Sequence, residues 1–437
     1  MGYDNDIYVI SGGGGATPTG TGDFLVRTID YDGTLLKQEY VNYGENATPL
    51  THPSHDLLTA DGYNNSYDNI TRDTDVGLMY KTTDGKTYFF IRLTNLTGMQ
   101  PTIYLTKADT SLMTVTWGDS TSQTTSASGN VAITKTNPYT LIGDFTGTIE
   151  TEGAWNISNT YLFNNVAGYN SCLLKLYLNG CTGFGSYAFN FLSNLTELIL
   201  PSGVIGNLPI SGCRKLKGVV APSGITSFNG QSSTSLQTIV TANDNLTLGT
   251  QALYDASAYN YLLIPQNATT IGNFMSARNY AIQSNIVIPF GVVTVNEYAF
   301  YLCYGITQYE ILATTPPTLA GTTAFAGINL ACKIYVPDAS VLAYQDATNW
   351  NTIPNYFYPI SDLGTKYANT IFFQCNGGVA VKQIRGTFGA VATEPTAPTK
   401  AGFTFDGWYK DAGLTTAWNW ATDVYPATNI TLYAKWI

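Results

Sequence analysis

A short apolar repeat constrains this chain more than any other feature of its sequence. Apolar pairs that end in Pro or a small residue recur at near-constant spacing, and the repeats end at Asn179, Pro201, Pro222, Ala242, Pro265, Pro289 and Ala313. The segment Leu195–Pro201 also shows Leu-x-x-Leu-x-Leu spacing. A unit of this length cannot bury its apolar face alone, so successive units stack and share one core. The repeat therefore predicts a solenoid of short stacked strands.

The composition excludes several other classes of protein. Only 11% of the 437 residues are charged, and 20 Lys and Arg stand against 30 Asp and Glu, for a net charge of −10. Nucleic-acid binding is disfavoured, because contacts to phosphate need an excess of Lys and Arg. Disorder is disfavoured by the 44% hydrophobic content, which is enough to form a core. We expect a mostly β, multi-domain protein.

Two Tyr-Ala-Phe segments indicate the type of repeat. Residues 187–189 and 298–300 both have this sequence and lie between repeat ends. With the Leu-Pro ends they resemble the BspA-type leucine-rich repeat, whose units read roughly Ala-Phe, then Cys and Leu, then Leu-Pro. A terminal repeat must differ from the others, since an uncovered apolar face would aggregate. Ser340–Thr348 is the best helix candidate for such a cap, and the capped solenoid is predicted over residues 151–363.

The six cysteines are predicted to be buried thiols. They show neither a Cys-x-x-Cys pair nor the spacing of zinc ligands. Cysteine is among the most often buried residue types, and a chain of this length does not imply a disulfide framework. The resemblance to BspA-type repeats places Cys172, Cys213 and Cys303 at that family's Cys position, which implies that they are core residues and not nucleophiles.

The same residue types recur near both ends of the chain, and the two members of each matching pair are separated by the same number of residues. Matching pairs include Gly44 and Gly389, Ala47 and Ala392, Thr48 and Thr393, Thr51 and Thr396, Pro53 and Pro398, and Asp61-Gly62 and Asp406-Gly407. The C-terminal segments 401–409 and 431–436 resemble Listeria–Bacteroides (internalin B-repeat-like) modules, which implies a small β-grasp-like fold in surface proteins. We predict a duplication, with copy 1 over residues 23–83 and copy 2 over residues 364–437.

Residues 84–150 are predicted to form a separate β-rich block. Trp117-Gly118-Asp119-Ser120 and the later Tyr139 resemble the polycystic-kidney-disease-type immunoglobulin-like sandwich, although the usual second Gly is Ser120. Asp119 could ligate calcium. We expect instead that its side chain stabilises its own turn.

Residues 1–22 are predicted to be a docking peptide and a linker. The Gly-rich segment 12–22 has the composition of a flexible linker. The tethered peptide before it suits docking onto a sheet edge of a partner, or else has no role. The docking candidates are Tyr3, Ile7, Tyr8, Val9 and Ile10. We expect no secretion signal, anchor or membrane span, since the start lacks a basic and apolar region and no apolar run reaches about 18 residues.

No catalytic or metal-binding constellation stands out in the sequence. The only histidines, His52 and His55, form one loop pair, for which we expect a solvated loop and not a metal site. The carboxylates are scattered, and the segments resemble binding modules. We therefore predict a protein that is not an enzyme and holds no cofactor.

Tyrosines of the repeats are the best candidates for binding. Tyr, Asn, Ser and Gly form adaptable contact surfaces, as in antibody paratopes, and aromatic rings also stack on sugars. We expect about half of the repeat tyrosines to be exposed, centred on residues 254–261 and 298–309, and the others to fill the core. The binding candidates are Tyr254, Tyr259, Tyr261, Tyr298, Tyr301 and Tyr304.

Two functions fit this series of modules. The Ile29–Gly33 start, the Trp-Gly-Asp turn and the following repeats resemble bacteriophage virion and host-attachment proteins. That resemblance implies a head or tail fibre protein at the virion surface, which would bind other virion proteins through residues 1–10 and a bacterial surface protein or glycan through the solenoid. The alternative is a BspA-type adhesin on the bacterial cell surface. Neither function involves nucleic acid or membrane insertion, and homo-oligomerisation is left open.

Overall fold

The computed structural model describes residues 17–92, 100–140, 143–157, 172–242, 244–283 and 285–437. Strands account for 35% of the structure and helices for 6%, which confirms the predicted mostly β class. The chain forms two compact units. Unit 1 comprises the chain up to residue 243 together with residues 255–261, and unit 2 comprises residues 244–254 and 262–437. In the part of the chain that is described, no helix has the length and apolar character to cross a membrane.

Unit 1 begins with a four-stranded sheet. Its strands are β1 (Phe24–Ile29), β2 (Leu35–Val41), β3 (Leu58–Tyr63) and β4 (Thr74–Thr82). The order is β2-β1-β4-β3, and only the central pair β1 and β4 is parallel. β1 is buried along its whole length, since Tyr67 and Ile70 pack on one face and Val220 and Val240 of the solenoid pack on the other.

The described end of the predicted linker is attached to this sheet. The Thr19 N–H donates to Gln38 O at 3.1 Å, and the Tyr40 N–H donates to Thr19 O at 2.8 Å. The prediction of a free linker over residues 12–22 is therefore wrong at Thr19. The reason is that the edge of β2 offers backbone groups that can still accept a partner.

A two-sheet sandwich follows. Its strands are β5 (Thr87–Arg92), β6 (Thr102–Lys107), β7 (Met113–Thr116), β8 (Ser122–Thr125), β9 (Gly129–Thr134), β10 (Asp144–Thr151) and β11 (Trp155–Ile157). One sheet contains β5-β10-β7-β8 and the other contains β11-β6-β9. Trp117 is fully buried, and the Tyr139 hydroxyl donates to Trp117 O at 2.6 Å. The two residues that suggested the immunoglobulin-like block thus belong to its core.

The solenoid strands of unit 1 pair one repeat with the next. They are β12 (Leu173–Tyr177), β13 (Cys181–Phe184), β14 (Glu197–Ile199), β15 (Gly206–Pro209), β16 (Gly218–Val220), β17 (Ile225–Asn229) and β18 (Thr238–Val240). β12 pairs with β14, β15 with β17 and β16 with β18, all in parallel. β12 also pairs with β5 in antiparallel, so one sheet of the sandwich continues into the solenoid.

Unit 2 contains further solenoid turns with two parallel ladders. The strands are β19 (Thr270–Ile271), β20 (Ile286–Ile288), β21 (Thr294–Val295), β22 (Gln308–Ile311), β23 (Thr318–Leu319), β24 (Lys333–Val336) and β25 (Phe357–Pro359). One ladder is β19-β21-β23 and the other is β20-β22-β24-β25. The described part of the chain holds about eight turns in all, which confirms the predicted solenoid.

The end of the solenoid is covered by helical turns. Helix α1 (Val341–Asp346) lies in the predicted cap, which confirms the helix candidate. Short 3-10 turns occur at Asp338–Ser340, Trp350–Thr352, Pro354–Tyr356 and Ile360–Tyr367. Tyr344 and Trp350 are fully buried, and their rings contact Phe357 of β25. The cap therefore supplies aromatic side chains to the last turn.

The C-terminal module repeats the topology of the first sheet. Its strands are β26 (Thr370–Gln374), β27 (Ile384–Arg385), β28 (Phe405–Tyr409) and β29 (Ile430–Trp436). The order is β27-β26-β29-β28, and only the central pair is parallel, as in β2-β1-β4-β3. Ile371, Trp408 and Leu432 form its core. The shared topology supports the predicted duplication, which stays a prediction together with the module boundaries.

Candidate binding surface

The turns of unit 2 hold bulky side chains where the backbone is left-handed. Gln251, Phe274 and Tyr298 occupy equivalent repeat positions with φ values of 59°, 52° and 58°. A positive φ is uncommon for a bulky residue and costs on the order of 1–3 kcal/mol. Neighbouring turns stabilise it, since the Gln251 N–H donates to Asn273 O at 2.9 Å and the Phe274 N–H donates to Glu297 O at 3.2 Å. The solenoid thus fixes the direction of these side chains.

Six aromatic side chains on these turns form a surface that we name the aromatic stripe: Tyr254, Phe274, Tyr280, Tyr298, Tyr301 and Tyr304. Its rings are in contact from one turn to the next. The Phe274 and Tyr298 rings are stacked, with centroids 4.6 Å apart and an interplanar angle of 6°. The Tyr280 and Tyr304 rings are also stacked, at 6.0 Å and 12°. The two rings of each stacked pair are one repeat apart in the sequence, so the stacking follows the repeat.

Edge contacts extend the Phe274–Tyr298 pair to a group of four rings, and the Tyr280–Tyr304 pair forms a second group. Tyr254 meets Phe274 edge-on at 5.8 Å, and Tyr301 meets Tyr298 edge-on at 5.3 Å. Tyr280 and Tyr304 are 45% and 48% exposed, and the other members are half-buried. Stacking covers one face of each ring, so a partner would meet the ring edges, the hydroxyl groups and the outer face that each ring keeps.

The structure brings four of the predicted binding tyrosines into the aromatic stripe: Tyr254, Tyr298, Tyr301 and Tyr304. The sequence-based candidates did not include Phe274 and Tyr280, which also belong to it. The repeat itself carried the missing signal, since Phe274 lies one repeat before Tyr298 and Tyr280 lies one repeat before Tyr304. Whether the stripe binds a ligand stays a prediction.

Tyr259 and Tyr261 are not surface residues, and the predicted exposure of residues 254–261 is wrong for both. They are 3% and 6% exposed. The Tyr259 hydroxyl accepts a hydrogen bond from the Ile239 N–H at 3.3 Å. Burial raises the pKa of both phenols above the usual range. Tyr309, in the second predicted region, is also buried.

Tyr261 is buried against an ion pair of the N-terminal sheet. The Arg27 guanidinium donates to both Asp75 carboxylate oxygens, at 2.8 and 2.6 Å, and both side chains are buried. The Tyr261 ring lies over the guanidinium, with the Arg27 Cζ 3.4 Å from the ring centroid. Burial alone would lower the pKa of Arg27, but the Asp75 carboxylate outweighs that effect and raises it. The tyrosines therefore join the sheet to a solenoid turn within unit 1.

The two histidines lie in a loop and are partly exposed, as expected, and each of them is also held by a hydrogen bond. His55 Nε2 lies 2.9 Å from Asp30 Oδ2, and His52 Nε2 lies 2.8 Å from Gly62 O. The His55 ring also meets the Tyr31 and Tyr80 rings edge-on at 5.0 and 5.1 Å. Among the described residues there is no group of three or more His, Cys, Asp or Glu side chains that could hold a metal ion.

Asp119 stabilises its own turn, which confirms the expected role. Its Oδ1 accepts from the Thr121 N–H at 3.2 Å and from the Thr121 hydroxyl at 2.5 Å. Its Oδ2 lies 2.8 Å from Lys135 Nζ. Burial opposes the charged form of the carboxyl, but these hydrogen bonds prevail and lower the pKa of Asp119.

All six cysteines are free and buried, which confirms the predicted thiols. The Cys213 thiol donates to Phe189 O and the Cys303 thiol donates to Ser276 O, both at 3.0 Å. Each bond joins one repeat to the preceding one. Burial raises the pKa of Cys213 and of Cys303 to about 12. Since the thiolate is the reactive form, neither thiol is suited to nucleophilic attack.

These raised pKa values predict a loss of stability at alkaline pH. An unfolded thiol ionises at about pH 8.5, whereas the folded Cys213 and Cys303 thiols keep their protons to about 12. Above about pH 8.5 the unfolded state therefore binds fewer protons, and the free energy of unfolding falls as pH rises. We expect the urea midpoint to be constant from pH 7 to 8 and to be lower at pH 9.5. The midpoint should fall less in the double variant Cys213→Ser with Cys303→Ser. Equal midpoints at pH 7 and 9.5 would contradict this.

The predicted docking residues Tyr3, Ile7, Tyr8, Val9 and Ile10 lie outside the described residues.

Comparison with known families supports the repeat assignments. The BspA type leucine rich repeat region matches residues 148–233, 182–307 and 224–346, in 6 copies. The Listeria-Bacteroides repeat domain matches residues 370–435. The chain therefore carries BspA-type leucine-rich repeats and a C-terminal Listeria–Bacteroides repeat, as the motifs predicted.

Three relatives show where similar segments occur. Two proteins of Evansella cellulosilytica are described as membrane proteins, one of them Gly-rich. This chain is 45% identical to each of them over 67 residues. The matched segment is 15% of this chain and 8% and 10% of the two relatives. Over 124 residues, 28% of this chain, it is 36% identical to Internalin H of Listeria monocytogenes serovar 1/2a and covers 22% of it. The chain thus spans less than a quarter of the length of each of these relatives.

Proposed function

We propose that this chain is a non-enzymatic adhesion protein of the bacterial cell surface, which binds a protein partner through the aromatic stripe. The observation that carries the proposal is the two stacked pairs of aromatic rings on turns where bulky residues adopt a left-handed backbone. Such strain persists only where the surrounding structure enforces it, and it is concentrated at functional sites. Tyrosine also supplies a large contact area with little loss of side-chain entropy.

Ring geometry favours a protein partner over a glycan. A sugar stacks on an open aromatic face, and stacking covers one face of each ring in the Phe274–Tyr298 and Tyr280–Tyr304 pairs, which reduces the area open to a sugar. The edges and hydroxyls that remain suit hydrogen bonds and edge-on contacts with a protein surface. The Arg278 Nη1 donates to the Tyr254 hydroxyl at 3.3 Å and adds a cation beside these rings.

The surface location is supported by the relatives. Two are described as membrane proteins and the third is Internalin H, and segments of this chain resemble parts of all three. These matches favour the surface adhesin over the virion protein that the sequence first suggested. The virion assignment depends on a docking peptide outside the described residues and stays a prediction.

Replacing Tyr280 and Tyr304 together with alanine is expected to weaken adhesion at least about tenfold, the effect of losing about 1.4 kcal/mol of binding free energy at a contact. Both side chains are nearly half exposed, so the thermal midpoint should change little. The measurement is adhesion of protein-coated beads to a panel of bacterial and epithelial cells. Tyr187→Ala, at a 55% exposed tyrosine in unit 1, is the matched control.

Treatment of the target cells separates the possible partners. Prior protease digestion should abolish the adhesion, and periodate oxidation of surface sugars should leave it unchanged. If the double variant adheres as strongly as Tyr187→Ala does, the aromatic stripe has no role in adhesion. Adhesion lost after periodate but not after protease would show a glycan ligand and overturn the protein partner.

A further inference from the structure

A second candidate site lies in unit 1, on the solenoid turn that follows β15. Arg214, Lys215 and Lys217 lie on this turn, and all three are exposed. We name these three residues the basic turn. Their side chains have no hydrogen bond, ion pair or ring contact among the described residues. By contrast, at least ten other basic side chains form ion pairs with Asp or Glu, such as Lys37 with Glu39.

The repeat does not require cations at these positions. Leu195, Leu216 and Leu236 occupy equivalent positions in three successive repeats, since the N–H of each donates to the carbonyl three residues before it. The residues equivalent to the basic turn are all uncharged: Ser193, Asn194 and Thr196 in the preceding repeat, and Thr234, Ser235 and Gln237 in the following one. A neutral side chain therefore suffices for the fold at each of these positions.

Solubility does not explain the basic turn either. The net charge of the chain is −10, so three unpaired cations reduce the net charge and weaken the repulsion that keeps molecules apart. Like charges this close in the sequence also repel one another. An unpaired cluster of cations attracts a partner of opposite charge, and this attraction acts over about 8–10 Å at physiological salt.

An exposed aromatic ring lies beside the basic turn. Phe191 is 55% exposed, and its ring lies against Gly212, where a Cβ atom would be 2.7 Å from Phe191 Cδ1. The Phe191 N–H donates to Ser211 O at 2.7 Å, so the backbone of one repeat holds this residue against the next repeat. Gly212 is two residues before Arg214. The surface therefore combines positive charge with one apolar contact.

We propose that the basic turn binds an acidic segment of a partner protein, with an apolar side chain of that segment against Phe191. Three cations within four residues need closely spaced anions, and Asp or Glu at alternate positions of an extended segment recur about every 7 Å. Clusters that contain arginine commonly recognise acidic motifs. A phosphate polymer would also neutralise the cations, but it has no apolar group to cover Phe191. This site does not depend on the proposed adhesive role of the aromatic stripe.

The test measures binding of fluorescently labelled peptides to the whole chain by fluorescence anisotropy. The probes are amidated peptides in which Asp or Glu alternates with Ala, Leu or Phe. Replacing Arg214, Lys215 and Lys217 together with glutamine is expected to weaken binding of the best peptide at least about tenfold. The melting temperature should stay unchanged, since all three side chains are exposed. Peptide binding to the unchanged protein should also weaken as NaCl is raised, because salt screens exposed charges.

Two further variants serve as controls. Lys81→Gln, Arg92→Gln and Lys410→Gln together remove the same number of cations at side chains that are 52%, 55% and 40% exposed and paired with Asp. This charge-matched variant should bind the peptide as the unchanged protein does. Phe191→Asn removes the ring, and Asn tolerates the φ of 60° at this position. It should weaken binding of the peptides with Leu or Phe and leave binding of the peptides with Ala unchanged.

Three results would overturn the proposal. The first is that no acidic peptide binds, or that the basic-turn variant binds as tightly as the charge-matched variant. The second is that Phe191→Asn binds the peptides with Leu or Phe as tightly as the unchanged protein does. The third concerns inorganic polyphosphate and oligogalacturonate, which are tested as competitors. If either binds more tightly than the best peptide, the partner is a polyanion other than a protein.

Discussion

Asp75→Ala is expected to destabilise unit 1 by about 3–5 kcal/mol, because it leaves the Arg27 guanidinium buried without its counter-charge. The two side chains are 8% and 6% exposed, and Tyr261 covers the guanidinium. Water therefore cannot replace the lost carboxylate without opening the contact between β1 and the solenoid. Hydrogen exchange followed by mass spectrometry should show faster exchange in β1 and β4, along with a lower urea midpoint.

Two further variants define this effect. Asp144→Ala removes the same two-oxygen contact to an arginine, but Arg92 and Asp144 are 55% and 53% exposed, so we expect little change. Arg27→Met combined with Asp75→Leu removes both charges and should regain much of the stability lost in Asp75→Ala. If Asp75→Ala and Asp144→Ala shift the midpoint equally, burial of the pair does not matter to stability.

Trp350→Ala is expected to destabilise unit 2 by about 3–5 kcal/mol and to cause aggregation. Trp350 is fully buried in the cap, and its Nε1 donates to Pro317 O at 2.7 Å. Its ring contacts Phe325 at 5.2 Å and Phe357 at 5.7 Å. The loss of the ring leaves a cavity, and the solenoid end loses its aromatic cover. Urea unfolding and size-exclusion chromatography measure the two effects.

The cap offers its own control. Leu342 lies on α1 and is 73% exposed, so Leu342→Ala should change the free energy of unfolding by no more than about 0.5 kcal/mol. Trp350→Phe keeps most of the ring contacts and loses the hydrogen bond, and its effect should lie between the other two. A Trp350→Ala protein that remains monomeric and as stable as Leu342→Ala would show that the cap does not support the last turn.

The solenoid could be predicted because its period is written directly into the apolar residues. Lys175 pairs with Glu197, and Thr270 pairs with Thr294. The two members of each pair are one repeat apart, since successive strands of a parallel ladder come from successive turns. Burial of the cysteines was expected from the usual burial of this residue type and from the resemblance to BspA-type repeats, and Cys213 and Cys303 are 0% and 2% exposed.

The fate of individual tyrosines could not be predicted, because it depends on residues far along the chain. Tyr261 is buried by Arg27, which belongs to the first strand of the chain, and no local pattern indicates that contact. Tyr304 stacks on Tyr280, one repeat away, and is 48% exposed. The half-buried packing of His55 likewise depends on Asp30 and Tyr80, which come from other strands or turns of the first sheet.

The continuous sheet formed by β5 and β12 has an evolutionary consequence. Leu176 pairs with Phe89 and Tyr177 with Tyr88, so the first solenoid strand completes a sheet of the sandwich. A recombination that exchanged the sandwich alone would leave β12 with a bare edge, which promotes aggregation. Loss or gain of a whole repeat within the array preserves the ladder, because each turn contacts only its neighbours. Descendants of this chain are therefore expected to vary in repeat number by unequal crossing-over, while the sandwich and the first turn are inherited as one block.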